Sequence, residues 1–210
     1  AAADAGQSGE SAAQRPADRP AAMRALADRL GLGEGDAAAD IGAGRGDDTW
    51  ALAEIVGPTG VVYSEEITDD MVESLKNVAE ERKLTQVRAV LGTDENPKIP
   101  PASVDLAHMR LVYHHMTKPR EMLREIWRAL KPGGHLVVVD RLPGTLRDWE
   151  PRENRGKKHF WIAETTVVRE ACEEGFRYRI LKPPINTTSA SVTKRKIMLT
   201  TAFRRKNAFC

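Results

Sequence analysis

Cysteine is nearly missing from this chain. Cys172 and Cys210 are the only two in 210 residues, too few for a disulfide framework or a cysteine metal cluster. No apolar run is long enough to cross a bilayer, so no membrane association is expected. A preponderance of one charge is lacking too. The formal net charge is only +2, which points away from a nucleic-acid partner. Aromatic residues make up 5%, and none is interleaved with the basic runs Arg155-Gly156-Lys157-Lys158, Lys194-Arg195-Lys196 and Arg204-Arg205-Lys206 as a base-stacking platform requires. Solvated faces and a charged sheet edge account for those runs. No internal repeat is visible, and the glycine run has no Gly-Lys-Ser/Thr ending of a triphosphate-binding loop.

What is there is an ordinary globular composition, 30% charged and 41% apolar, in a length that buries one good-sized core. The expected layout is a mobile lead-in over residues 1–20, rich in Ala, Gly, Ser, Asp and Pro, followed by one domain over residues 21–210. Residue 1 is alanine, as in an exported protein stripped of its signal peptide or in a shortened chain. Retention in the cytoplasm is the plainer expectation. Oligomeric state leaves no mark on the sequence.

The stretch Ala37-Ala38-Ala39-Asp40-Ile41-Gly42-Ala43-Gly44-Arg45-Gly46 organises the rest. It reads as a short buried strand ending in a glycine loop, with a helix from about Asp47. A loop without Cβ atoms turns sharply and comes close to a ligand, and the helix start that follows suits a polar, partly anionic one. The spacing is G-x-G-x-G behind an acid, not the G-x-G-x-x-G of dinucleotide binding. A helix-capping turn with no ligand is the plain alternative.

Helical spacing predicts a helix at Met23, Leu26, Ala27 and Leu30 stopped by Gly31 and Gly33, and another at Trp50, Leu52, Ala53 and Val56 closed by Gly57-Pro58. Val61–Ser64 is a strand running into Glu65 and Glu66, and a carboxylate about 20 residues beyond such a loop is placed for ribose hydroxyls. Thr68 or Asp69 can cap a helix through about Arg82. Val87–Leu91 is a strand followed by Gly92-Thr93-Asp94. A fourth strand begins at Ser103–Ala107 and ends in His108-Met109-Arg110-Leu111-Val112-Tyr113-His114-His115. Residues Pro119–Leu130 form an amphipathic helix, and Lys131-Pro132-Gly133-Gly134 precedes the strand His135–Asp140. Arg141 to about Lys158 is a long connection of the kind that covers sites. A helix over Glu164–Glu174 and strands at Phe176–Leu181 and Ile197–Arg204 complete the chain.

Asp40-Ile-Gly42-Ala-Gly44-Arg-Gly46 resembles motif I of class I S-adenosylmethionine (SAM) methyltransferases. The acid after the second strand, Gly-Thr-Asp after the third and Lys-Pro-Gly-Gly before the fifth follow in that family's order. The resemblance covers roughly residues 20 to 205 and is greatest to the small-molecule branch. It implies a three-layer, Rossmann-like α/β sandwich with a mostly parallel seven-stranded sheet and an antiparallel terminal strand. It also implies SAM as cofactor, S-adenosyl-L-homocysteine as product, a small-molecule acceptor, in-line methyl displacement and no metal. By this likeness Gly42, Ala43, Gly44 and Gly46 run past the methionine part, with Asp40 near its ammonium. Glu66, or Glu65 if the register slips by one, takes the ribose, and Asp94 with Thr93 takes the adenine. His114, His115 and Tyr113 are candidates for proton removal or acceptor placement, with Asp140 facing the same mouth and His159 a weaker candidate. A structural cap is the alternative for the Tyr-His-His segment.

His108 and Arg110 depart from the family, whose fourth strand is usually apolar. Arg110 shares a face with His108 and is grouped with the cofactor residues. It needs a carboxylate, for which Asp40, Glu66 or an anionic substrate would serve. The Asn/Asp-Pro-Pro-Tyr/Phe signature of amide and base N-methyltransferases is missing. The rival readings are a nicotinamide-dependent Rossmann oxidoreductase and a SAM-binding protein without catalysis.

Overall fold

The computed structural model describes residues 19–141, 162, 164–180 and 197–204. The expected lead-in up to residue 18, most of the connection after Arg141 with His159, and two of the basic runs lie outside them, as do the last two residues of the third.

The sheet is built from β1 (Ala37–Ile41), β2 (Val61–Glu66), β3 (Val87–Leu91), β4 (Val104–Arg110), β5 (Leu130–Arg141), β6 (Phe176–Ile180) and β7 (Ile197–Arg204). Their spatial order is β3-β2-β1-β4-β5-β7-β6. β3, β2, β1, β4 and β5 pair in parallel, whereas β7 lies antiparallel between β5 and β6. Every residue of β1 is buried, as a central parallel strand covered on both faces requires. The chain steps outward from β1 through β2 to β3, then returns to β4 on the other side of β1. The crevice between β1 and β4 is therefore the switch point where open α/β sheets bind ligands.

α1 (Arg19–Leu30) and α2 (Asp47–Val56) cover one face, where Met23, Leu26, Leu52 and Val56 pack on Ala38, Val62, Leu106 and Val137. α3 (Asp69–Glu81) adds Leu75 and Ala79 around Trp50 beside them. α4 (Pro119–Ala129) and α5 (Glu164–Glu173) cover the other face, with Leu123, Ile126, Val167 and Ala171 against Ala39, Ile41, Met109 and Val138. No helix among the described residues is long and apolar enough to cross a membrane.

Three details differ from the sequence reading, and one was not foreseen by it. α1 begins at Arg19, inside the expected lead-in. Thr68 stands at the N-cap of α3 but makes no side-chain cap bond. α4 stops at Ala129, and β5 starts at once with Leu130 paired to Val104, the Lys-Pro-Gly-Gly segment being absorbed as a register shift before Leu106↔His135. Finally, Cys172 in α5 is disulfide-bonded.

Candidate functional site

The loop after β1 places Gly42, Gly44 and Gly46 at φ of +65°, +59° and +81°, a region where a Cβ is penalised. A Cβ on Gly42 would lie 2.5 Å from Val112, and one on Gly46 would lie 2.4 Å from the Trp50 ring. Packing therefore forbids side chains at the first and third glycines. Gly44 differs, because a Cβ there would meet nothing within 4 Å; the loop's middle opens onto free space.

The end of β2 holds this loop. The N–H of Gly42 donates to Glu65 Oε2 at 3.1 Å, that of Ala43 to the Glu65 carbonyl at 2.9 Å, and that of Gly44 to Glu66 Oε1 at 2.7 Å. The two acids point to opposite faces of the strand. Glu65 is 1% exposed, beneath the loop, with Oε1 buried and unpartnered among the described residues. Burial, opposed by the Gly42 hydrogen bond and reinforced by the charges of Glu66 and Asp40, pushes its carboxyl up to about 8. Gly92 packs against the same carboxylate: a Cβ there would fall 1.9 Å from Glu65 Oε1, so the Glu65 side chain would have to move. Glu66 is half-buried at the strand's mouth.

A buried polar row crosses the strands under the loop. Register sets Ser64, Asp40 and His108 side by side on β2, β1 and β4, and α2 lies over them. Thr49 Oγ1 donates to Asp40 Oδ2 at 2.7 Å and lies 2.8 Å from Ser64 Oγ. Its one proton being committed to the carboxylate, the Ser64 hydroxyl donates to Thr49. His108 Nδ1 lies 3.4 Å from Asp40 Oδ1 and 3.9 Å from Asp48 Oδ2. The row ends where Arg110 Nε donates to Asp48 Oδ2 at 2.6 Å. Burial raises the Asp48 carboxyl, but the charges of His108 and Arg110 with the Arg110 hydrogen bond outweigh it and hold it below its ordinary value. Asp40, Asp48 and His108 each offer a ligand atom within 4.8 Å of the others. The guanidinium already seated on Asp48 would sit beside any cation they held.

Beyond β4, Leu111 takes a left-handed φ of +57°, a strained conformation for a branched side chain. It turns the chain so that Val112 covers Gly42 and residues Tyr113–His115 form a short 3₁₀ turn. Tyr113 is fully buried and its hydroxyl donates to Glu170 Oε2 at 2.7 Å. The hydroxyl expected to place an acceptor is thus engaged on α5. His114 is buried on Asp140, whose Oδ2 takes the His114 backbone N–H at 3.1 Å and faces Nδ1 at 3.0 Å. Asp140 is fully buried in that pair. His115 is exposed, its ring 3.9 Å from that of His114. In the loop after β3, Thr93 Oγ1 accepts the N–H of Asn96 at 3.0 Å, and exposed Asp94 lies 3.5 Å from Thr117 Oγ1.

A profile of the methyltransferase domain matches residues 32–193, which takes in the glycine loop, both acids and the whole segment after β4. The chain belongs to the methyltransferase domain family. A demethylmenaquinone methyltransferase of Geobacillus sp. (strain WCH70) is 30% identical over 118 residues, 56% of this chain and 50% of that protein. Half or less of the length of the named relatives is spanned by this chain. Among solved structures, YcgJ of Bacillus subtilis superposes with a TM-score of 0.70 at 19% identity over 89% of this chain and 99% of that one. A SAM-dependent methyltransferase from Aquifex aeolicus gives 0.67 at 21% identity over 86% and 87%.

In this methyltransferase domain the partner of Arg110 is Asp48, not Asp40 or Glu66. Asp48, Thr49 and Ser64 carry the buried row, and sequence reasoning passed over all three. A signal was present: Asp48 and Thr49 open the helix that leaves the glycine loop, and the register places Ser64 beside Asp40.

Proposed function

We propose that this methyltransferase domain, expected over residues 21–210 and extended by α1 to Arg19, moves a methyl group from SAM to a small-molecule acceptor, releasing S-adenosyl-L-homocysteine. The observation that carries the reading is the Gly44 N–H on Glu66 Oε1 at 2.7 Å, which sets an open glycine loop and a half-exposed carboxylate at the same mouth. The residues present fit the cofactor, because Gly44 faces empty space and Glu66 and Asp94 are both reachable. When bound, SAM supplies an electrophilic methyl group on a sulfonium with a neutral leaving group.

The chain's own work is alignment, which supplies several orders of magnitude without a protein nucleophile. Gly42, Ala43, Gly44 and Gly46 line the methionine part. Glu66 accepts from the ribose hydroxyls, and Asp94 beside Thr93 accepts from the adenine amino group. Asp40 is 2% exposed, so it stabilises the loop and the ammonium end from beneath. Glu65 works from beneath in the same way, as a support of Gly42. His115, exposed and packed at a tilt against a His114 that Asp140 holds, removes a proton where the acceptor must lose one. His114 is the positioning residue of the pair.

The antiparallel β7 and the G-x-G-x-G spacing both weigh against a nicotinamide-dependent oxidoreductase. Calorimetry with SAM and S-adenosylhomocysteine tests the cofactor, and methyl-labelled SAM with an acceptor panel tests transfer. The Geobacillus relative's name makes demethylated quinols the first acceptors to include. Heat and label transfer are expected. No heat from either nucleoside overturns the reading, and binding without transfer across the panel favours the catalytically silent alternative.

A further inference from the structure

The guanidinium of Arg110 is only partly used by the protein. Arg110 is the last residue of β4, at the β1/β4 switch point, and its side chain is 12% exposed. A guanidinium offers five N–H donors. Here one nitrogen, Nε, is committed to Asp48, and no described residue accepts from either Nη. Neither Nη is among the buried unpartnered atoms, so both remain reachable from the crevice. Taking so much of an arginine out of water for one hydrogen bond is costly unless a further acceptor arrives.

The neighbours narrow what that acceptor is. Asp48 is 4% exposed and fixed in the first turn of α2, so it holds Nε and sets the plane of the fork. Arg19 flanks the same turn and holds Asp47 through Nη1 at 2.7 Å, with its Nε buried and unpartnered among the described residues. The N-cap of α2 is Gly46, without a side-chain bond to the helix start, which leaves that positive end for an anion. Yet Asp40, Asp47 and Asp48 already crowd the corner, and a doubly charged phosphate would meet more repulsion there than a singly charged group. A planar carboxylate matches the fork geometry as well.

Resting on the methyltransferase reading, we propose that Arg110 is a carboxylate-recognition residue of the active site, with Asp48 as its positioning residue. The carboxylate belongs either to the amino-acid tail of the cofactor or to an acidic acceptor.

Calorimetry on the full chain separates these sources. S-adenosylhomocysteine is compared with its decarboxylated analogue in the wild type, Arg110→Lys and Arg110→Met. The double variant Arg110→Met/Asp48→Asn removes both charges, so a misfolded single variant does not end the test. A preference of ten- to hundredfold for the intact nucleoside in the wild type, reduced in Arg110→Lys and gone in both Met variants, assigns the cofactor's carboxylate. No such preference, with benzoate stabilising the wild-type nucleoside complex against heat but not that of either Met variant, assigns the acceptor's. Ratios unchanged in the Met variants and no benzoate effect overturn the role of Arg110 alone. Wild-type protein that binds neither nucleoside overturns the methyltransferase reading and this assignment with it.

Discussion

Gly44 and Glu66 are joined by a 2.7 Å hydrogen bond from backbone N–H to carboxylate, and it ties the end of β2 to the loop that leaves β1. Its neighbour Glu65 binds the same loop from the buried side, at Gly42. The two consecutive acids therefore divide the work, one facing the mouth and one facing the core.

Glu66→Ala should weaken S-adenosylhomocysteine binding about ten- to hundredfold, because charge-assisted hydrogen bonds to the ribose are lost. The fold should survive, since Glu66 is half-exposed. Calorimetry reads the outcome. Full affinity in Glu66→Ala together with a loss in a still-folded Glu65→Ala would move the ribose contact to the earlier residue.

Glu65 makes stability depend on pH. Its carboxyl sits at about 8 in the folded protein against 4.5 ordinarily, so the folded state holds a proton that the unfolded state releases. The stabilisation is complete below about 4.5, declines as pH rises and is gone above about 8, a change of a few kcal/mol. Thermal unfolding from pH 5 to pH 9 should show a falling midpoint in the wild type and a flatter profile in Glu65→Gln, with the variant more stable at pH 9. Parallel profiles would mean that Glu65 does not carry the effect.

The loop glycines should separate packing from access. Gly46→Ala brings a methyl group against Trp50 as well as a left-handed backbone, and should cost about 2–4 kcal/mol in urea unfolding. Gly44→Ala pays the backbone term of about 1–2 kcal/mol, yet should lose more than tenfold in cofactor affinity because its methyl group projects into the open side. Normal nucleoside binding by Gly44→Ala would place the cofactor elsewhere.

Past β4, Asp140→Ala should lower stability by about 2–4 kcal/mol, since the buried His114 N–H and ring nitrogen lose their acceptor. His115→Ala should change stability by less than about 0.5 kcal/mol. With an acceptor that must lose a proton, it should also lower kcat and remove the acidic limb of the pH–rate profile. Wild-type kcat and an unaltered profile in His115→Ala would leave proton removal to another group.

Local patterns were enough for much of this molecule. The glycine run, the two acids at the end of β2, and the apolar stripes of α2 and α4 each state a preference within a few residues. Such preferences fix elements and their order. Arg110 was marked as needing a carboxylate, but its partner lies 62 positions away on α2, and no local pattern carries that distance. Tyr113 looked like a hydroxyl at the mouth, yet the turn at Leu111 aims it at Glu170 on α5.

By itself, then, the sequence determined an alternating α/β chain with a glycine loop after its first strand, because strand, helix and turn preferences act over short spans. The tertiary structure alone decided which of Glu65 and Glu66 faces the mouth, and that Ser64, Thr49, Asp40, His108, Asp48 and Arg110 form one row. Register between parallel strands and the placement of α2 over them brought those groups together, and burial then set the energetic cost of leaving any of them unpaired.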